Sequence, residues 1–450
     1  MPILNPSASW RRWTLPVAAA VALAAGCSVG PDYVRPAVEV PGAYKDTGTW
    51  KTAEPGSVDS GQPWWEAYAD PTLNQLMQDA ERANQNLRLA EANYRQAQAL
   101  ADAARAASYP TAGGSFGAQR ARARSSNGVT EGAAFSAGLS ASWVPDFWGG
   151  VRRSIEAGNA SAEASADDLA NAHLSIQAAL AQSYFQLRVT DRQRDLYAAT
   201  IDAYARALKL TQAQRSAGVA LASDVALAQS QLASAQASAT DLDAARAQLE
   251  HAIAILTGRP PANFSLAALM PGAAMLPLPP APTALPSELL ERRPDVAAAE
   301  RRAAAANANI GVARAAYYPS LTLSAGGGFG SAAIGALFDT PSRVWSLGAT
   351  LAQTLFDGGL RQAHDAQAVA AYDAAVANYK QTVLAGFQQV EDNLATLRVL
   401  DREADFQVQA VEAGRTAERL SLAQYRGGTA TYLAVVTAQT LSLANQRTAV

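Results

Sequence analysis

A single cysteine, Cys27, stands in 450 residues, and the three histidines, His173, His251 and His364, are widely scattered. Such an inventory leaves no disulfide framework and no metal-ligand spacing, so each histidine is expected to be a solvated helix residue. Basic excess is lacking too. With 36 Lys and Arg against 39 Asp and Glu the net charge is -3, which excludes a nucleic-acid binder held by a basic face. Aromatics are only 7%, and Ala takes their place. Proline is missing between Pro145 and Pro260 and again after Pro341, so two long tracts are free of the strongest helix breaker.

What the chain does have is a duplication. Ala104-Arg105-Ala106-Ala107-Ser108-Tyr109-Pro110 returns as Ala313-Arg314-Ala315-Ala316-Tyr317-Tyr318-Pro319, an offset of 209. Phe147-Trp148-Gly149-Gly150-Val151-Arg152 returns as Phe356-Asp357-Gly358-Gly359-Leu360-Arg361 at the same offset, and Glu91 falls on Glu300. At 210, Gly218 falls on Gly428 and Ala228-Gln229 on Ala438-Gln439. A period this long is one duplicated domain, with repeats at 64–256 and 288–450, rather than a solenoid of small units.

Within each repeat, paired glycines open a proline-free tract and another glycine interrupts it. Val151 to Ala217 and Leu360 to Arg426 are therefore expected to be helices of about 66 residues, or ~100 Å. Apolar positions keep a helical stripe and Ala and Ser fill much of the remainder, the composition of close-packed coiled-coil walls. By the 210 offset the last helix, from Ala430, stops at Val450 some 16 residues early, so either the chain is incomplete or this helix is short.

Before each long helix lies a pair of short alternating stretches, about 111–119 with 133–143 and about 320–330 with 344–356, joined by turn-like loops at 120–132 and 330–342. Phe135, Ala137, Leu139, Ala141 and Trp143 point one way while Ser136, Gly138, Ser140 and Ser142 point the other. An apolar face backed by a small polar one over about 10 residues marks a transmembrane β-strand beside a watery lumen. Four strands cannot close on themselves, and lipid tolerates no open edge, so several copies must share one barrel. A dimer would supply eight strands and a trimer twelve, and only the larger leaves a channel of useful width.

The N-terminus fits that location. Arg11 and Arg12 precede an apolar run from Leu15 to Ala25, about 11 residues, well short of the ~20 needed to span a bilayer. Residues 1–26 read as a signal peptide closed by Ala24-Ala25-Gly26, although Ala24 sits where a lipobox usually carries Leu. Cys27 is then either a stray thiol or a lipidation site; without a disulfide partner in an oxidising compartment, lipidation is favoured. Ser28 in place of Asp fits onward transport to the outer membrane. Segment 27–63 and the Pro-rich strap 257–287 read as extended straps over the body.

Two motifs resemble chemistry only as letters. Gly113-Gly114-Ser115-Phe116-Gly117 matches a nucleophile elbow but lacks the strand-to-helix turn, and Gly326-Gly327-Gly328-Phe329-Gly330 opens no helix as a phosphate loop must. No catalytic residue, metal or cofactor is expected, apart from a covalent lipid on Cys27.

In order along the chain stand Cys27-Ser28-Val29-Gly30-Pro31-Asp32-Tyr33-Val34-Arg35-Pro36, Trp64-Trp65, Asp70-Pro71-Thr72-Leu73, Leu256-Thr257-Gly258-Arg259-Pro260-Pro261 and Leu290-Glu291-Arg292-Arg293-Pro294-Asp295-Val296. On these segments the chain resembles the TolC-like outer-membrane factors, in particular the NodT-type efflux lipoproteins, over essentially its whole length after the signal peptide. The resemblance implies a mainly α fold with a small membrane β part: a trimeric twelve-stranded barrel continued by an α-helical tunnel in the periplasm. It implies a homotrimer that works with a periplasmic adaptor and an inner-membrane RND-type pump and passes small molecules such as drugs outward. By position, Ala217-Gly218-Val219 and Gly427-Gly428-Thr429 resemble adaptor-docking tips, and Leu433 with Thr437 the periplasmic constriction. Thr437 and Thr440 stand where relatives often place Asp and Arg, so a charged ring there is not implied. Two other readings remain open at this point: the duct of a type I protein secretion system, and a periplasmic coiled-coil lipoprotein without a pore.

Overall fold

The computed structural model describes residues 28–38, 63–126, 128–270 and 293–450. Cys27, the signal peptide and residues 271–287 of the strap lie outside the described residues. Two compact units alternate along the sequence. One takes residues up to Glu39, Glu91–Asp168 and Pro294–Val383; the other takes Val40–Ala90, Leu169–Arg293 and Leu384–Val450. The tandem repeats expected at 64–256 and 288–450 are thus not the compact bodies: each unit draws matching pieces from both repeats, because packing joins like pieces side by side while duplication set them end to end.

The first unit carries a four-stranded antiparallel sheet in the order β1 (Thr111–Ser125), β2 (Gly128–Trp143), β3 (Ser320–Ser331) and β4 (Arg343–Ala352). Its register pairs Phe116 with Ala137, Leu139 with Gly114 and Gly327, and Trp345 with Gly327. Directly paired residues share a face, so Phe116, Phe135, Leu139, Trp143, Leu323, Phe329, Trp345, Leu347 and Leu351 all line one side. Gly113, Ser115, Ser136, Ser140, Ser324, Ser346 and Thr350 line the other. The first hairpin departs from expectation. What was expected as a loop over 120–132 continues the ladder to Ser125 and resumes at Gly128, because Arg120, Arg122 and Arg124 alternate with Ala121 and Ala123 and keep the two-residue period. β4 in turn ends at Ala352, short of the expected 356.

The nucleophile-elbow letters lie inside β1, with Ser115 paired to Gly138. Helices flank the strands: α2 (Gln85–Ala106) leads into β1, α3 (Gly150–Ser216) follows β2, α5 (Pro294–Ala315) leads into β3 and α6 (Leu360–Arg426) follows β4. Both α3 and α6 have 67 residues, about 100 Å of helix. Small residues set the spacing: α5 buries Ala298, Ala299, Ala303, Ala304 and Ala308, and a Cβ on Gly158 would stand 3.3 Å from the Ala101 backbone.

Residues 28–38 form a clasp on this unit. Val29 donates its N–H to the Trp148 carbonyl at 3.1 Å, and Gly30 packs so closely on Gly311 that a Cβ would lie 2.5 Å from the Gly311 Cα. The buried Arg153 guanidinium donates to Asp32 at 2.7 Å, Glu156 at 2.8 Å and the Val29 and Gly30 carbonyls. Tyr33 donates to Glu300 at 2.8 Å, while Arg35 donates to the Tyr379 hydroxyl at 3.3 Å.

The second unit contains α1 (Pro71–Ala83), α4 (Ala222–Leu256) and α7 (Tyr432–Ala449) with parts of the longer helices. Leu73, Leu76, Met77, Leu87, Ile176, Leu180, Leu187 and Ile253 make its core. Asp70 caps α1 by accepting from the Thr72 and Leu73 amides, Pro71 starts the helix, and the Tyr184 hydroxyl donates to the same carboxylate. At the far end of α4, Gly258 takes φ +69 and lies against Ala83, while Arg259 pairs with Asp79 at 2.7 Å. His173, expected to be merely solvated, instead meets Glu81 at 2.7 Å and is half-buried.

Candidate functional site

Three features built by this fold can act on something outside the chain: the two helix reversals of the second unit, one face of α7, and the two faces of the sheet.

At the first reversal, the Gly218 amide donates to Arg215 at 2.9 Å and the Val219 amide to Gln214 at 2.9 Å; Gly218 has φ +74. At the second, the Gly428 amide donates to Tyr425 at 3.1 Å and the Thr429 amide to Gln424 at 3.0 Å; Gly428 has φ +75. Both are the left-handed C-terminal stop that satisfies the last helix carbonyls. A Cβ on either glycine would meet nothing within 4 Å, so conformation alone requires glycine here. Ala217, Val219 and Gly427 are exposed at these turns, Val219 to 70%. Asp224 accepts from the Leu221 amide at 3.1 Å and fixes the start of α4.

On α7, Tyr432, Val435, Ala438, Gln439 and Ser442 face inward. Tyr432 lies 5.2 Å from Tyr425 edge-on, and burial, then the neighbouring Tyr425, pushes its phenol up to about 12. The buried Gln439 and Tyr425 each keep an oxygen without a partner among the described residues, so the seam is less firmly held than an apolar one. On the opposite side Leu433 is 58% exposed, and Thr437, also exposed, donates back to the Leu433 carbonyl at 2.9 Å. Sequence reasoning missed Leu441, exposed one turn beyond Thr437; the i, i+4, i+8 spacing of Leu433, Thr437 and Leu441 was the available signal.

The sheet is apolar on one face and small and polar on the other, and neither β1 nor β4 has an outer partner among the described residues. Along β2, the stretch from Phe135 to Trp143 has the length of a tilted outer-membrane strand, about 9–11 residues. At its lower rim Trp148 stacks on Tyr318 at 4.8 Å and donates to the Pro319 carbonyl, as an interfacial aromatic does. No helix among the described residues is long and apolar enough to cross a membrane.

The family model described as outer membrane efflux protein matches residues 76–259 and 285–450. The pyoverdine export outer membrane protein OpmQ of Pseudomonas aeruginosa is 32% identical over 414 residues, covering 89% of this chain and 86% of that protein. The toluene efflux pump outer membrane protein TtgF of Pseudomonas putida is 30% identical over 436 residues, covering 94% of this chain and 90% of that one. Among solved structures, the outer-membrane channel OprN superposes with a TM-score of 0.86 at 30% identity, over 94% of this chain and 95% of that one. The Campylobacter jejuni CmeC outer membrane channel, at 22% identity and a TM-score of 0.87 over 94% of this chain and 90% of that one, shares the fold.

Proposed function

Because this chain belongs to the outer membrane efflux protein family and is an outer-membrane efflux channel, we propose that three copies close its four-stranded sheets into one twelve-stranded barrel. The observation that carries this is the one-sided sheet with two open edges, since β1 of one copy offers the ladder that β4 of the next lacks. The Ser, Thr and Gly face then lines the lumen and the Leu, Phe and Trp face meets lipid. The long helices that follow the strands continue the wall through the periplasm. The channel works as the exit of an efflux pump, and its further partners are a periplasmic adaptor docked on Ala217–Val219 and Gly427–Thr429 and an inner-membrane pump of the RND type.

Cys27 carries the lipid, and the clasp over residues 28–38 holds the chain that follows it beside Trp148. Leu433 and Thr437, with Leu441, form the constriction: three copies of an apolar collar with a hydroxyl ring between, which bars hydrated solutes by dewetting rather than by charge. The substrates are small molecules. The pore-free lipoprotein reading falls with the family assignment, and the secretion-duct reading is disfavoured by relatives named for export of small molecules.

Single-channel recording in planar bilayers tests this reading. Wild type should conduct; Leu433→Ala should raise conductance with little dependence on pH, and Thr437→Asp should turn the channel toward cations. Equal conductance and ion selectivity in all three would place the constriction elsewhere, and no conductance in any would refute the barrel.

A further inference from the structure

Immediately above the apolar band, the same face of the sheet changes character. Phe116 is followed at two-residue steps by Ala118, Arg120, Arg122 and Arg124, so three guanidinium groups stand in file on β1, on the face that carries Phe135, Leu139 and Trp345. All three are exposed. Glu131, opposite Arg122 in the ladder, pairs with Arg120 at 2.9 Å, which leaves the file with a net charge of +2. Arg343, exposed on β4 two residues beyond Trp345, adds another positive charge to the face. The opposite face at this height holds Gln119, Ala121 and Ala123, so the charge is confined to one side.

Position and chemistry together restrict what the file can meet. It lies at the hairpin end of the sheet, away from the helices, and it begins one residue pair above Phe135, with no change of face. The headgroups of a lipid layer that covers the band below would stand at the height of this file. Rows of arginines spaced about 6.6 Å apart match phosphate groups, which guanidinium binds through paired, charge-assisted hydrogen bonds. Burial of Phe116 and Leu139 in the acyl layer would bring such phosphates to the level of Arg120 and Arg122.

We propose that the Arg120–Arg122–Arg124 file is a binding surface for phosphate-bearing glycolipid of the outer leaflet, seating the barrel at a fixed depth. This rests on the outer-membrane barrel reading above. Each of the three copies would present one file, and the second hairpin supplies no equivalent: between β3 and β4 its loop is closed by buried Leu337 and by Phe338 against Phe329 at 5.4 Å. Glu131 tunes the surface by engaging one arginine of the three.

The test is a binding titration of the detergent-purified full-length protein with a bisphosphorylated lipid A-type glycolipid, its dephosphorylated form and inorganic phosphate. Wild type should bind the bisphosphorylated form at least tenfold more tightly than R120Q/R122Q/R124Q, because each arginine near an anionic surface contributes measurably. The dephosphorylated form should bind both proteins alike and weakly. Glu131→Gln, which releases Arg120, should tighten binding severalfold, and added salt should weaken it. Equal affinity of wild type and triple variant, equal affinity for the two glycolipids, or complete displacement by equimolar inorganic phosphate would each overturn the proposal. Planar-bilayer conductance of the same preparations keeps the two readings apart: conducting channels without phosphate-dependent binding refute only the glycolipid surface, whereas preparations that never conduct refute the barrel and the surface with it.

Discussion

Arg153→Met should open the N-terminal clasp without unfolding the protein. The Arg153 side chain is 6% exposed and bonds to two carboxylates and two backbone carbonyls, so its loss looks severe, yet the partners differ in what water can restore. Asp32 is 93% exposed and Glu156 41%, and both rehydrate once the guanidinium goes; such pairs contribute about 0–1 kcal/mol. The Val29 and Gly30 carbonyls, bonded at 3.3 and 3.4 Å, lose a charged donor, and bonds to charged groups are worth ~1.5–3 kcal/mol at good geometry. At these lengths the lower figure applies, and Met keeps the stem that packs on Gly311, so no large cavity forms. The sum is about 3 kcal/mol, borne by residues 28–38 alone, which is roughly a hundredfold in opening. Hydrogen exchange at the Val29 amide, which donates to Trp148, reads that opening directly. The expected result is about hundredfold faster exchange in Arg153→Met and an intermediate rate in Arg153→Lys. Unchanged protection at Val29 would show that Gly30 on Gly311 and Tyr33 on Glu300 hold the clasp by themselves, and the reasoning would fail.

Gly258→Ala should destabilise the second unit by more than ~2 kcal/mol in chemical denaturation, because the left-handed φ of +69 adds to a Cβ placed 2.2 Å from the Ala83 carbonyl oxygen; an unaltered midpoint would mean that α1 shifts freely. Burial, then its bond to Asp70, pushes the Tyr184 phenol up to about 12 from an ordinary 10.0, so the folded protein keeps a proton that the unfolded chain releases, and this stabilisation is whole below pH 10 and lost as pH climbs to about 12. Spectrophotometric titration should find a late tyrosinate step that Tyr184→Phe lowers by one tyrosine, the part due to Tyr432 remaining. Gly218→Val and Gly428→Val should each strain a turn by about 1–2 kcal/mol while leaving trimers intact, and should abolish efflux and weaken adaptor cross-linking; unaltered drug susceptibility in both would refute docking at the tips.

Much of the fold was legible because its signals are periodic. The missing prolines and paired glycines gave α3 and α6 to within a residue, and the alternation from Phe135 to Trp143 fixed which face of β2 is apolar. The upper half of the first hairpin was not read, because three arginines weigh toward a loop by composition even though Ala121 and Ala123 between them preserve the strand period. The segments that carried the family resemblance turn out to be fasteners: Asp70 caps a helix, Gly258 turns one, and Gly30, Asp32, Tyr33 and Arg35 bind the clasp. Those roles were hidden because each partner, Gly311, Arg153, Glu300 or Tyr379, lies more than 100 residues away. Leu441 was missed for a simpler reason, being the residue just after Thr440, where the segment that suggested a constriction ends.

The glycines separate what the fold requires from what a partner would require. At Gly30, Gly258 and Gly311 a Cβ would collide with backbone at 2.5, 2.2 and 2.8 Å, so the chain's own packing demands glycine there. At Gly218 and Gly428 a Cβ meets open space, and the fold asks only for a left-handed turn. Asn tolerates that turn almost as well as glycine, so from the chain's own side Gly218→Asn and Gly428→Asn are close to neutral. Any loss of efflux in the Asn variants must then come from the added side chain, through an outside surface that approaches the tip as closely as Gly311 approaches Gly30. Valine at the same positions combines strain with bulk and cannot make that distinction. The contrast between Asn and Val at one position therefore assigns the effect to the turn or to the partner, with the trimer as internal control.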